Sequence, residues 1–267
     1  MATMQRPALA PPNDHFFLAL RHADWSLLIL DYDGTLAPFR VDRDEAVPYE
    51  GVRDALAAVG RNPHTRVVLV TGRSLSEITR LLDIKPAPEI WASHGWERRG
   101  PDGGATAFPL PEGARSALDL ALQCAGELGL QSACEVKPAS LALHWRGLTR
   151  DETASVERRG RDLWEPIADA SNLELHTFDG GLELRVPGRD KGSAVRSIVA
   201  NAGPDVVVAF LGDDLTDEDA FRALPETGLS VLVRGEARFT DAKSWLRPPE
   251  ELLAFLHRWA ATAGGDA

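Results

Sequence analysis

The stretch "SLLILDYDGT", residues 26 to 35, runs from a continuous apolar segment into two aspartates one residue apart. Strand side chains alternate with a period of two, so Asp31 and Asp33 would leave the same side of the chain. Carboxylates that close repel unless a cation or a shared proton holds them. The tip of this strand is therefore either a solvated turn or a metal-assisted site, and the remaining sequence has to decide.

Outward from this strand the pattern repeats. An amphipathic stretch at residues 49–59 follows it, then "RVVLV" (66–70), a helical "SLSEITRLL" (74–82) and a third strand at "EIWAS" (89–93). Late in the chain "KGSAVRSIVANAG" (191–203) reads as a helix and "DVVVAFL" (205–211) as a strand. "TDEDAFRAL" (216–224), "GLSVLV" (228–233) and "PEELLAFLHRWA" (249–260) continue as helix, strand and closing helix. Buried apolar strands alternating with helices predict an α/β fold with a doubly wound, Rossmann-like parallel sheet. Ligands of such sheets bind beyond the carboxyl ends of the strands.

Residues 107–187 have a different character. Leu141, Leu143 and Trp145 oppose Ala142, His144 and Arg146; Leu182, Leu184 and Val186 oppose Glu183 and Arg185; Cys134 and Val136 oppose Glu135 and Lys137. With helical patterns at 111–129 and 152–169, this alternation predicts an antiparallel sheet covered by helices on one face. Its other face is expected to be polar and open. The chain thus divides into a core at 1–106 and 188–267 and an inserted α/β domain at 107–187, with turn-rich "DGGATAFP" and "VPGRD" as hinges. Residues 1–20 are expected as a loosely ordered lead.

Composition narrows the function. Forty acidic residues against 29 lysines and arginines give a net charge of −11, which argues against nucleic-acid or anionic-membrane partners. Cys124 and Cys134 have no metal-ligand or redox spacing and are expected as free thiols. No apolar run approaches transmembrane length, so a cytoplasmic protein is expected.

Four stations carry chemistry: Asp31 and Asp33 at the first strand end, and Thr71, Gly72 and Arg73 at the second. Lys191 opens the helix after the insertion, and Asp213, Asp214 and Asp217 follow a late strand in "GDDLTD". Singly each is ordinary, since "DGT" is often a turn and "TDEDAF" suits a helix start. In a doubly wound sheet all four fall on one edge, so their chemistries converge. No P-loop, dinucleotide fingerprint or EF-hand spacing is present.

In this order, "DYDGT", "TGR", "DKG" and "GDDLTD" resemble the four motifs of the haloacid-dehalogenase-type phosphotransferase superfamily. The insertion resembles the α/β cap of its sugar-phosphate phosphatases. "CEVKPASLALHWR", "GLELRVPGRDKGSA" and "FLGDDLTDEDAF" resemble the trehalose-6-phosphate phosphatase family over nearly the whole chain beyond the N-terminal tail. The resemblance implies an Mg²⁺-dependent phosphatase acting on trehalose 6-phosphate, a small-molecule partner, through an aspartyl-phosphate; a monomer is expected. Asp31 would be the nucleophile and Asp33 the general acid and base. Thr71 and Lys191 would hold the phosphate, beside the substrate-binding Gly72 and Arg73 and their backbone N–H groups. The metal would be bound by Asp31, Asp213 and the Asp33 carbonyl, with Asp214 and Asp217 supporting its shell or Lys191. Glu135, Lys137, His144 and Glu183 are expected on the sugar. Rival readings are a phosphatase of sucrose 6-phosphate or mannosyl-3-phosphoglycerate, and a catalytically idle sugar-phosphate sensor.

Overall fold

The computed structural model describes residues 9–178 and 180–263. Its large sheet grows from β1 (Ser26–Leu30), whose five residues are all buried. β2 (Thr65–Val70) pairs with it on one side, and β3 (Glu89–Ala92) follows outward, both parallel. On the other side stand β10 (Val207–Gly212), β11 (Leu229–Val233) and β12 (Ser244–Leu246), also parallel. β4 (Glu97–Arg99) and β5 (Ala105–Ala107) extend the β3 edge antiparallel, giving eight strands in the order β12-β11-β10-β1-β2-β3-β4-β5. The expected doubly wound α/β core is present, and the antiparallel extension adds to it.

Alternate strand residues explain why both faces are covered. Leu28 and Leu30 join Leu69, Leu211 and Val231 in packing against α2 (Val52–Gly60) and α8 (Glu250–Thr262), through Leu56, Val59, Phe255 and Trp259. Leu27 and Ile29 join Val68 and Phe210 on the opposite face, against Val195 and Ile198 of α6 (Lys191–Ala200) and Phe221 of α7 (Glu218–Ala223). Each such leucine, isoleucine or phenylalanine contributes about 1.5–3 kcal/mol by leaving water. α3 (Leu75–Leu82) starts at a capping box between Ser74 and Glu77, immediately after the "TGR" station.

Residues 1–8 of the expected loose lead lie outside the described residues. Residues 14–20 of that lead belong instead to α1 (Asp14–Arg21). The Asn13 side chain caps it at Phe16 N, and Phe16, Phe17 and Leu20 are buried.

The second sheet is antiparallel, in the order β6-β7-β9-β8: β6 (Cys134–Val136), β7 (Ser140–His144), β9 (Gly181–Arg185) and β8 (Glu174–Phe178). Leu141, Leu143, Trp145, Leu182, Leu184 and Val186 pack against α4 (Ala114–Glu127) and α5 (Arg150–Ser171), chiefly through Leu118, Ala121, Trp164 and Ala168. The period-two alternation thus reads correctly for the helix-covered face of β7 and β9, but not at Val136, which is expected on that face and is exposed at the end of edge strand β6. The opposite face is not open. Lys137, Glu183 and Arg185 are buried, because that face is turned onto the carboxyl edge of the large sheet.

Candidate active site

The strand ends fix the reacting groups by extending the sheet ladder past its formal limits. Asp31 N donates to Leu211 O at 2.9 Å, and Thr71 N donates to Trp91 O at 2.9 Å. The next turn needs glycine. Gly34 has φ +78°, and a Cβ there would lie 2.1 Å from Asp213 Oδ2. That absence of a side chain lets the turn after Asp33 settle directly against the late-strand acids.

Those acids form a buried cluster. Carboxylate oxygens of Asp31, Asp213 and Asp217 lie within 4.8 Å of one another. Lys191, placed by the Asp190 cap of α6, sits 2.8 Å from both Asp31 Oδ1 and Asp217 Oδ1. Asp217 Oδ2 also accepts from the N–H groups of Asp213 and Asp214, at 3.0 and 2.9 Å. Asp217 thus ties Lys191 to the loop that carries Asp213 and Asp214. The Asp214 carboxylate accepts from Leu215 N.

One ammonium cannot neutralise three buried carboxylates. Burial, with repulsion from Asp217 and Asp33, pushes the Asp31 carboxyl up to about 8 against the pull of Lys191. Burial and the charges of Asp217, Asp31 and Asp214 likewise hold Asp213 well above the usual carboxylate range. Both Asp213 side-chain oxygens are buried and have no hydrogen-bond partner among the described residues, Arg234 Nη1 standing 3.9 Å from Oδ2. A buried pair of lone acceptors beside two further carboxylates fits a hard divalent cation with oxygen ligands. The protonated state also makes a prediction. The native metal-free protein binds more protons at Asp31 and Asp213 than the unfolded chain does, so its stability falls as pH rises from about 4 towards about 8. Thermal melts in chelator should show Tm declining over that window, and excess Mg²⁺ should raise Tm more at pH 8 than at pH 5. A metal effect equal at both pH values would contradict this assignment.

Asp33 lies outside the acidic cluster. Its Oδ2 and Oδ1 accept from Arg73 Nε and Nη2, each at 2.7 Å, and the buried guanidinium stands 5.5 Å from the Tyr32 ring centroid. Burial alone would lower the Arg73 pKa, but the bonds to Asp33 raise it. The Arg73 side chain, expected on the substrate, is thus engaged with Asp33. Thr71 Oγ1 accepts from Arg73 N at 3.2 Å, which closes the turn between these groups.

The polar face of the second sheet roofs this cluster and lines with it a partly open cleft. Glu183 is its best-connected member. Oε1 accepts from Lys137 Nζ at 2.9 Å and Ser140 Oγ at 2.8 Å, and Oε2 accepts from Arg185 Nε at 2.6 Å. Burial opposes its ionisation, yet Arg185, Lys137 and His94 hold it well below the usual carboxylate range. Glu135 is only partly buried, and Lys137, His144 and Arg43 draw it down to about 2 against the cost of that burial. Its Oε2 lies 2.8 Å from His144 Nε2 and pairs with Arg43. Lys137, His144 and Glu183 are therefore brought together over Asp31, Thr71 and Lys191, whereas Glu135 joins them through His144 and lines a neighbouring hollow with Arg43.

Several cleft residues escaped the sequence reading. Arg43 opens a short 3-10 turn (Arg43–Glu45) with no motif character, and only its reach to Glu135 makes it notable. Phe39 lies under the Arg146 guanidinium, 4.2 Å from its centroid. His94 lines the cleft from just after β3. An "SHG" following a strand end on the motif edge was a signal that could have been weighed.

Residues 29–244 match the family described as trehalose-phosphatase. A trehalose-phosphate phosphatase of Mycobacterium marinum is 31% identical over 88% of this chain and 61% of its own. A protein of Oryza sativa subsp. japonica described as probable trehalose-phosphate phosphatase 3 is 28% identical over 87% of this chain and 68% of its own. The chain thus spans about two thirds of the length of these curated relatives. The solved C-terminal domain of Candida albicans trehalose-6-phosphate phosphatase superposes with a TM-score of 0.84 over 96% of this chain and 99% of that one. At 20% identity it speaks for the fold.

Proposed function

The chain belongs to the trehalose-phosphatase family, and from that premise we propose that it hydrolyses trehalose 6-phosphate to trehalose and phosphate, with Mg²⁺, through a phosphoryl group carried on Asp31. The observation that carries this reading is the Asp31 carboxylate, set at the floor of a roofed cleft, 2.8 Å from Lys191 and beside Asp213 oxygens that accept no hydrogen bond among the described residues.

The roles follow from phosphoryl transfer, in which positioning and electrostatics do most of the work. Asp31 attacks phosphorus, and the sugar oxygen leaves with a proton from Asp33. Asp33 then takes a proton from the water that attacks the aspartyl-phosphate. Arg73 holds the Asp33 carboxyl in place through both of its oxygens. Lys191 and the Thr71 hydroxyl meet the phosphate oxygens, with Gly72 closing the turn. Asp31, Asp213 and the Asp33 carbonyl would hold the cation, Asp214 and Asp217 supporting; the ion supplies the positive charge that lets a phosphate dianion approach these acids. Glu135, Lys137, His144 and Glu183 take the sugar hydroxyls. Residues 107–187 act as the specificity cap, and 1–106 with 188–267 as the catalytic core. The trehalose 6-phosphate concentration dependence of phosphate release, with Mg²⁺ present, tests this. Saturable turnover is expected, and tight binding with no turnover would point to the sensor reading instead.

Arg43 should act on recognition. Its pair with Glu135 joins core to cap, but the Arg43 side chain is 23% exposed, which weakens the interaction by solvent screening. Arg43→Ala is therefore expected to raise KM for the sugar phosphate by about fivefold, or about 1 kcal/mol, with kcat nearly unchanged. A fall in kcat with constant KM would place Arg43 in the chemical step instead.

A further inference from the structure

His94 is a polar residue that the mechanism above does not use. It and Ser93 have φ 55° and 49°, in the left-handed region that side-chain-bearing residues rarely adopt. Hydrogen bonds hold the bend: Ser93 N donates to Arg73 O at 2.7 Å, His94 N to Thr71 O at 3.0 Å, and Ser93 Oγ to Glu97 Oε2 at 2.7 Å. Strain retained at a functional edge asks for an explanation in function. The bend throws the imidazole over Gly72, where a Cβ would fall 2.7 Å from Nε2. The "TGR" station thus needs glycine because His94 lies against it.

The ring is buried, and its Nδ1 has no partner among the described residues. Nε2 lies 3.3 Å from Glu183 Oε2. Burial, reinforced by Arg185, pushes the imidazole pKa down to about 3, so the ring is neutral at physiological pH. A neutral ring approaches a carboxylate favourably only when Nε2 carries the proton, which fixes the tautomer. The other groups that hold Glu183, namely Lys137, Ser140 and Arg185, all come from its own sheet or the turn joining its strands. They stay with Glu183 wherever that sheet lies relative to the core. His94 alone among these contacts comes from the core.

We propose that His94 is a positioning residue for substrate recognition: from the core it orients the cap carboxylate Glu183, so that this carboxylate is set for the sugar only when the two sheets are closed on each other. The proposal rests on the reading of Glu183 as a sugar ligand. It also makes the turn that carries Thr71 and Gly72 a sensor of cap position, because the ring that contacts the cap lies directly on that turn. Phosphate binding and sugar recognition are thereby joined through one side chain.

The test is a double-mutant cycle with His94→Leu and Glu183→Gln, read as kcat and KM on the sugar phosphate that the wild-type protein prefers. His94→Leu is expected to lower kcat/KM about tenfold, mainly through KM, in the wild-type background. In the Glu183→Gln background it should add less than about twofold, because the group it positions has lost its charge. His94→Gln keeps an N–H donor near the same place and should recover most of the loss. It also serves if His94→Leu does not fold. A tenfold loss that persists in the Glu183→Gln background, or a Gln variant as impaired as Leu, would overturn the proposal. If the preferred ester is not trehalose 6-phosphate, the functional reading fails while the cycle on the preferred ester still decides the role of His94. If a sugar phosphate binds without turnover, the same cycle is read in Kd.

Discussion

Replacing Asp31 by asparagine is expected to lower kcat by at least about a thousandfold while leaving the fold intact. The amide neither attacks phosphorus nor offers an anionic oxygen to a cation. The fold should survive because the substitution is nearly isosteric and removes one member of a buried, mutually repelling acidic cluster. Relieving that repulsion should raise the metal-free Tm above that of the wild-type protein at pH 8, where the native carboxyl is being forced to ionise. Loss of turnover with a raised or unchanged Tm would separate chemistry from stability. Phosphate release near the wild-type rate would mean that another group is the nucleophile.

Removal of divalent cation should be as severe. Without the cation the native protein holds protons on Asp31 and Asp213 at neutral pH, so the attacking carboxylate is not ionised. Activity in chelator is therefore expected below about one thousandth of the Mg²⁺-saturated value. Mg²⁺ should restore it fully, whereas Ca²⁺ should support it poorly, since calcium takes more ligands at longer distances. Titrating each ion back into chelated protein and following phosphate release checks both statements. Full activity without added metal would remove the ion from the account.

How much of this was written in the sequence depends on which physical signal each part carries. β1, β2, β10 and β11 were legible because strands covered on both faces must be apolar throughout, and β7 and β9 because one-sided burial enforces alternation. β4 and β5 were not. "ERR" and "ATA" carry no apolar pattern, since they form a short polar edge, and β5 is fully exposed. The strand ends pointed to Asp31, Thr71, Lys191 and Asp213 because chain topology alone brings them to one edge. Which partners they take was not readable. That the Arg73 fork turns to Asp33 is a matter of side-chain geometry within a buried turn. The same holds for the cap face. Alternation located Glu135, Lys137, Glu183 and Arg185 on one side, but whether that side meets water or the core is decided by contacts distant in sequence. Arg43 and His94, at 92 and 89 positions from their cap partners, could only be found once the two sheets were seen together.

The central claim is that the core performs phosphoryl transfer while the cap selects trehalose 6-phosphate. It is tested most directly by initial rates of phosphate release, with saturating Mg²⁺, from trehalose 6-phosphate, sucrose 6-phosphate and mannosyl-3-phosphoglycerate assayed side by side. The expected result is a kcat/KM for trehalose 6-phosphate at least about a hundredfold above either of the others, a difference of about 2.7 kcal/mol in transition-state binding. Equal rates on all three esters, or a marked preference for another, would contradict it.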